Sequence, residues 1–232
     1  GHNNVGGFVG RSDSVFITNV TTAGFVDASS TDDANAGGLI GRFGGGTDPR
    51  INIFDGISSA TVSADGRNVG GLVGVAHDAV GSSSASGDVT GRSHVGGLVG
   101  TNRDWISSSF ALGNVSGENS VGGLVGRVNT SDGTAVSTAY ASGTVRANGT
   151  SGDHYGGLVG YHEDGDLQDV YATGTVDGNN NTGGLIGSTN TTGTVTIKDT
   201  YAVGAVSGNS TTGGLLGYRN KTIVESSYWD EN

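Results

Sequence analysis

Apolar residues along this chain fall into short clusters that return every 26 to 34 residues, each enclosed by glycines. The cluster reads Gly-Gly-Leu-Val-Gly or a close variant, and its eight copies start at Gly6, Gly37, Gly70, Gly96, Gly122, Gly156, Gly183 and Gly213. A second cluster lies between copies of the first. Phe110-Ala111-Leu112-Gly113-Asn114-Val115 matches Tyr140-Ala141-Ser142-Gly143-Thr144-Val145, and further matches begin at Tyr171 and Tyr201. Alternation with period two sets Ala, Gly and Val on one face and the aromatic with small polar residues on the other, which predicts a short strand. Upstream, Ala85-Gly87-Val89 and Ala60-Val62-Ala64 keep the small apolar face without the aromatic, and Gly24-Val26-Ala28 is the most degenerate copy. No segment shows helical spacing.

One such strand pair cannot bury enough surface to offset the entropy of the chain, whereas stacked copies build a continuous thin core. The pattern therefore predicts an all-β repeat protein, a β-solenoid of about eight short two-strand rungs with a narrow Gly/Ala/Val/Leu core. Residues 1–232 read as a single array that begins in mid-repeat, as a segment of a longer chain would, with a C-terminal cap over 226–232. The Leu of each block, from Leu39 to Leu215, is expected to form one buried column, with Phe8 at its start. Strict alternation would turn the following residue, Val9 to Leu216, to the opposite face. That second apolar column needs cover, from inserts such as 42–55 and 128–136 or from a second copy of the chain.

Composition narrows the class. Glycine supplies 46 of 232 residues, but without a Gly-X-Y period and with a single Pro, which excludes a collagen-like chain. There is no Cys, hence no disulfide framework or thiolate metal site, and no apolar run reaches the roughly 20 residues that span a bilayer. The net charge is −11, from 22 acidic residues against 11 basic ones, most of the acids being Asp. Such a charge repels phosphate backbones, so nucleic-acid binding is not expected, and without a spanning apolar run no membrane insertion by this segment is expected either. An Asp-rich, Lys-poor surface also has a halophile-like character, since salt screens its self-repulsion.

The joint recurrence of Val-Gly-Gly-Leu-Val-Gly with Tyr-Ala-x-Gly-x-Val resembles the GLUG-repeat family over nearly the whole length, and the closing Ser227-Tyr228-Trp229-Asp230 is similar to the Tyr-Trp-Asp that often ends such arrays. The resemblance implies a segment of a large secreted or surface-attached bacterial or archaeal protein, adhesin-like chains included. It also points to arrays that flank the peptidase domain of immunoglobulin-A-cleaving metalloproteases.

Catalytic signatures are missing from the sequence: no His-Glu-x-x-His, no Gly-x-Ser-x-Gly and no phosphate-binding loop occurs, and the segment is expected not to be an enzyme. No cofactor is expected. Asp164, Asp166 and Asp169 form the densest carboxylate cluster and are a weak candidate for Ca²⁺, fitting neither the EF-hand nor the nonapeptide pattern. Eight Asn-x-Ser/Thr sites, at Asn19, Asn114, Asn129, Asn148, Asn180, Asn190, Asn209 and Asn220, are candidates for N-glycosylation and lean towards an extracellular glycoprotein. Phe110, Tyr140, Tyr171, Tyr201 and Tyr228 are expected to form an outer ladder that stiffens the stack and offers flat faces to sugars. Trp229 falls in the inward slot of Ala202 and is expected to cap the last rung.

Two functions of different class follow. One is a non-catalytic stalk or binding surface on an extracellular adhesin or fibre, its partners a surface glycan, a protein receptor or copies of itself as a filament subunit. The other is an accessory segment of a secreted peptidase or glycan-active enzyme whose catalytic domain lies elsewhere.

Overall fold

The computed structural model describes residues 3–13, 15–29, 34–46, 52–130, 133–191 and 193–230. Residues 231 and 232 of the expected cap, and His2 and Pro49, lie outside them. Among the described residues every regular element is a strand, and the chain winds a β-solenoid of about seven turns.

Each turn feeds four sheets. The first holds the approach to each block, from Asn4–Gly6 to Ser210–Gly213, in eight strands, and the second holds the close of each block, from Val9–Ser12 to Leu216–Tyr218, again in eight. The third sheet, of twelve strands, gathers the inserts and the aromatic end of the second cluster, and the fourth, of seven, gathers its terminal Val. Pairing is parallel and joins equivalent positions: Val99 stands between Val73 and Val125, and Tyr140 between Phe110 and Tyr171.

The rung thus holds more strands than the two expected, because the second cluster divides between the third and fourth sheets, as Phe110–Ala111 and Val115–Gly117, and the block is not one strand either. Its Gly-Gly bends the chain between the first and second sheets, and the bend is itself hydrogen-bonded to its neighbour, Leu124 N–H donating to Leu158 O at 2.9 Å. Glycine is required there by space. A Cβ on Gly123 would lie 2.1 Å from Gly157 O and 2.9 Å from Ala141 Cβ.

This bend overturns the expectation that Leu and the following Val face opposite ways. Leu124 and Val125 are both fully buried in the same core, since Leu occupies the corner, where alternation does not carry through. The cover over the Val column comes from inserts within the chain: Ile53, Ile106, Val136, Leu167 and Ile197 of the third sheet close this core. A second core lies between the first and fourth sheets, around Val69, Val95, Val121, Val115 and Val145. The Ala-x-Gly-x-Val segment spans both, with Ala141 in one and Val145 in the other. Phe8 also departs from expectation, being 56% exposed. It keeps the register, donating its N–H to Leu39 O, but has a neighbouring turn on one side only.

Candidate binding surfaces

The third sheet makes a sharp corner once per turn, at a residue in the left-handed region two positions before the aromatic: Ser108 (φ 50°), Thr138 (φ 50°), Asp169 (φ 53°) and Asp199 (φ 53°). Short polar side chains tolerate this backbone best. After the corner the aromatic points outward while the next Ala enters the core. Parallel register then stacks the rings. Phe110 and Tyr140 lie 5.1 Å apart at 8°, Tyr140 and Tyr171 4.9 Å at 1°, Tyr171 and Tyr201 4.8 Å at 2°, and Tyr201 and Tyr228 5.4 Å at 10°. The first four rings are half-buried and Tyr228 is exposed. Partial burial, and next the neighbouring Tyr201 and Tyr140, push the Tyr171 phenol above its usual range.

A second surface lies where the first and second sheets fold against each other outside the bend. The crease is floored by glycine: a Cβ on Gly126 would come 2.3 Å from the His94 carbonyl carbon. One wall is the column Asn4, Asn35, Asn68, in which each amide donates to the one before it, at 2.9 and 2.7 Å. His94 Nδ1 lies 3.1 Å from Asn68 Oδ1, and the Thr101 hydroxyl donates to the same oxygen at 2.6 Å from the opposite wall. That wall is the outward column of the second sheet, running Arg11, Arg42, Val75, Thr101, Arg127 and Tyr161 in register. Further along, His154 stacks on Tyr161 at 4.6 Å. His94 and His154 share one position of the repeat two turns apart, and period-two alternation alone does not show the crease that they line. The signal was the residue that follows the last glycine of each block, which is Arg three times and Tyr twice.

Residues 151–177, one turn that carries both the Gly156 block and the Tyr171 strand, match the family model described as the GLUG motif. This turn carries a GLUG motif, which supports the resemblance of the array to the GLUG-repeat family. Comparison with curated proteins and with solved structures returns no match. The matched turn is in register with its neighbours, since Gly156 pairs with Gly122 and Gly183, and Tyr171 with Tyr140 and Tyr201.

The remaining sequence candidates scatter over the GLUG array. Asp164, Asp166 and Asp169 are not brought together, and among the described residues no group of three His, Asp or Glu side chains is placed to hold a metal. Each carboxylate is set by its own local geometry: Asp164 accepts from Gly165 N at 3.0 Å, Asp166 from Thr196 N at 2.7 Å on the next turn, and Asp169 stands at an exposed left-handed corner. The weak Ca²⁺ candidate therefore has no converging ligands. Of the Asn-x-Ser/Thr sites, Asn19, Asn114, Asn148, Asn190 and Asn209 are exposed, and Asn129, Asn180 and Asn220 are half-buried. Trp229 pairs with Ala202, and its indole lies over Gly214, where a Cβ would be 2.1 Å from the ring; its Nε1–H donates to Gly204 O at 3.3 Å. It remains 39% exposed, and the neighbouring Leu215 and Leu216 are only partly buried, so the indole covers one glycine rather than the whole rung.

Proposed function

We propose that this GLUG array is a non-catalytic structural and adhesive segment of an extracellular, surface-attached protein, a stiff spacer that also presents a binding face. The observation that carries the reading is the parallel register of equivalent positions from Val9 to Leu216 in the second sheet, which, with one irregularity at Thr134/Val136 in the third sheet, supports a regular rod-like stack. Stacked rings on its side support the adhesive part, because aromatic faces pack against sugar rings. The burial of Val99 and Val125 within the single chain takes the Val column away as a surface for lateral assembly.

An epitope inserted at Gly149, where the surroundings are open, tests the placement in the full-length protein. Antibody binding to intact cells, and loss of cell attachment on in-frame removal of the array, are the expected results. An epitope reached only after lysis overturns the extracellular reading. A glycan array compared with and without Tyr140→Ala plus Tyr171→Ala tests the ladder: retained binding leaves the rings a stiffening role only.

A further inference from the structure

The crease between the first and second sheets is where this acidic chain gathers positive charge. Of nine Arg in the sequence, Arg11, Arg42 and Arg103 line one depression of about 360 Å³ together with Asn4, Asn35 and Asn68. Arg67 and Arg92 line a second of about 360 Å³ with His94, and Arg127 stands in register with Thr101 on the same wall. The nearby acids are few. Asp13 bridges Arg11 at 2.8 Å and Arg42 at 3.2 Å, Glu163 holds Arg127 at 2.7 Å, and Glu118 sits at the rim of the second depression. Arg92 and Arg103 are exposed and form no salt bridge with the described residues.

The imidazoles report the same field. Burial first, then Arg42 and Arg103, pushes His77 down to about 4. Burial first, then Arg127, Arg67 and Arg103, does the same to His94, also to about 4. Arg127 Nε and His154 Nδ1 are buried along this crease without a hydrogen-bond partner among the described residues.

Past Arg127 the groove changes character. Tyr161, Ser188 and Tyr218 follow one another in register, so the two rings stand two rungs apart, roughly 10 Å at the spacing of parallel strands. Asn181, Asn190 and Thr211 complete a depression of about 350 Å³ that, among the described residues, no Asp, Glu, Lys or Arg lines; burial holds its one imidazole, His154, towards the neutral form. Guanidinium groups suit planar anions, and spaced rings with amides between them suit the faces and hydroxyls of pyranoses.

We propose that the crease binds an anionic polysaccharide laid along the stack axis, its carboxylate or sulfate groups on Arg42, Arg92 and Arg103 and its sugar faces on Tyr161 and Tyr218. An acidic peptide would engage the arginines but leave the tyrosine half without a purpose, and duplex DNA meets the repulsion of a chain of net charge −11. The proposal stands apart from the aromatic ladder and from where the protein resides.

The test is equilibrium binding of the whole chain to polygalacturonate, dextran sulfate, neutral dextran and duplex DNA at low salt. The expected result is binding to one or both anionic polysaccharides, with polygalacturonate alone marking a carboxylate site and dextran sulfate alone a sulfate site. Affinity should fall steeply with added NaCl, and neutral dextran should not bind. Arg92→Gln with Arg103→Gln, two exposed side chains without ion pairs, should weaken binding at least tenfold with an unchanged melting temperature. Tyr161→Ala should weaken it severalfold, and Arg146→Gln, an exposed residue of the fourth sheet away from the crease, should leave it unaltered. Absence of binding to both anionic polymers, equal affinity of the arginine double variant, or tighter binding of duplex DNA overturns the proposal.

Discussion

Gly97 and Gly193 show how unequal two glycines of one chain can be. A methyl group on Gly97 would sit 2.1 Å from Gly123 O and 2.8 Å from Ala111 Cβ, both fixed by the adjoining turns, whereas one on Gly193 would meet nothing within 4 Å among the described residues. Gly97→Ala should therefore cost about 3 kcal/mol or more, and Gly193→Ala should change stability by less than about 1 kcal/mol, upward if at all; urea denaturation of the two variants checks the contrast. His162 makes a second single-residue prediction. Its ring is fully buried, Nε2 lies 2.8 Å from Gly165 O, and burial pushes it down to about 4. Above pH 6.5 it is neutral in both states. Below that the unfolded chain takes a proton that the folded one refuses, so stability falls as pH drops from about 6.5 to about 4, by at most about 3 kcal/mol from this residue, and then levels off. His77 and His94 add to the same slope. Denaturation midpoints between pH 4 and pH 8 should show a shallower decline in His162→Gln than in the parent chain.

At the scale of elements, the aromatic column is a ladder of nearly parallel rings, and Tyr140 and Tyr171 take part in three of its four contacts. Tyr140→Ala with Tyr171→Ala should destabilise the array by about 2–4 kcal/mol, while Phe at both positions should retain most of the stability, because stacking and burial survive the loss of two exposed hydroxyls. Thermal melting separates the two pairs. This column was legible in the sequence because Tyr-Ala-x-Gly-x-Val is self-contained: the whole motif alternates, and its register follows from alignment with itself. The Gly-Gly-Leu-Val-Gly block was legible as a repeat but not as a corner. Period two holds only while the chain runs straight, and at Gly123-Leu124 it turns, sending Leu124 and Val125 into one core. The arginine crease was hidden for a related reason. Arg42 and Arg103 come from different turns, the turns differ in length, and only the register of the second sheet brings them to one depression.

At the scale of the whole molecule, the turns that begin at Gly70 and Gly96 are each 26 residues long and pair with each other position by position. Deleting residues 96–121 joins Val95 to Gly122 and restores Val-Gly-Gly-Leu-Val-Gly across the junction. The shortened chain should fold with unchanged strand content and be about 4.8 Å shorter, a difference checked by circular dichroism and small-angle scattering. Collapse of the fold would mean that the turns are not interchangeable units. The same parallel register fixes how the array answers to tension. Each turn is held to the next by rows of lateral hydrogen bonds, so a pull on the two ends loads the outermost turn before any other. A peeled 26-residue turn occupies about 5 Å of the folded stack but releases roughly 90 Å of extended chain. Under load the array would pay out in discrete lengths, as a ratcheted tether that limits peak force, and it would rewind each turn on the template of the one still standing.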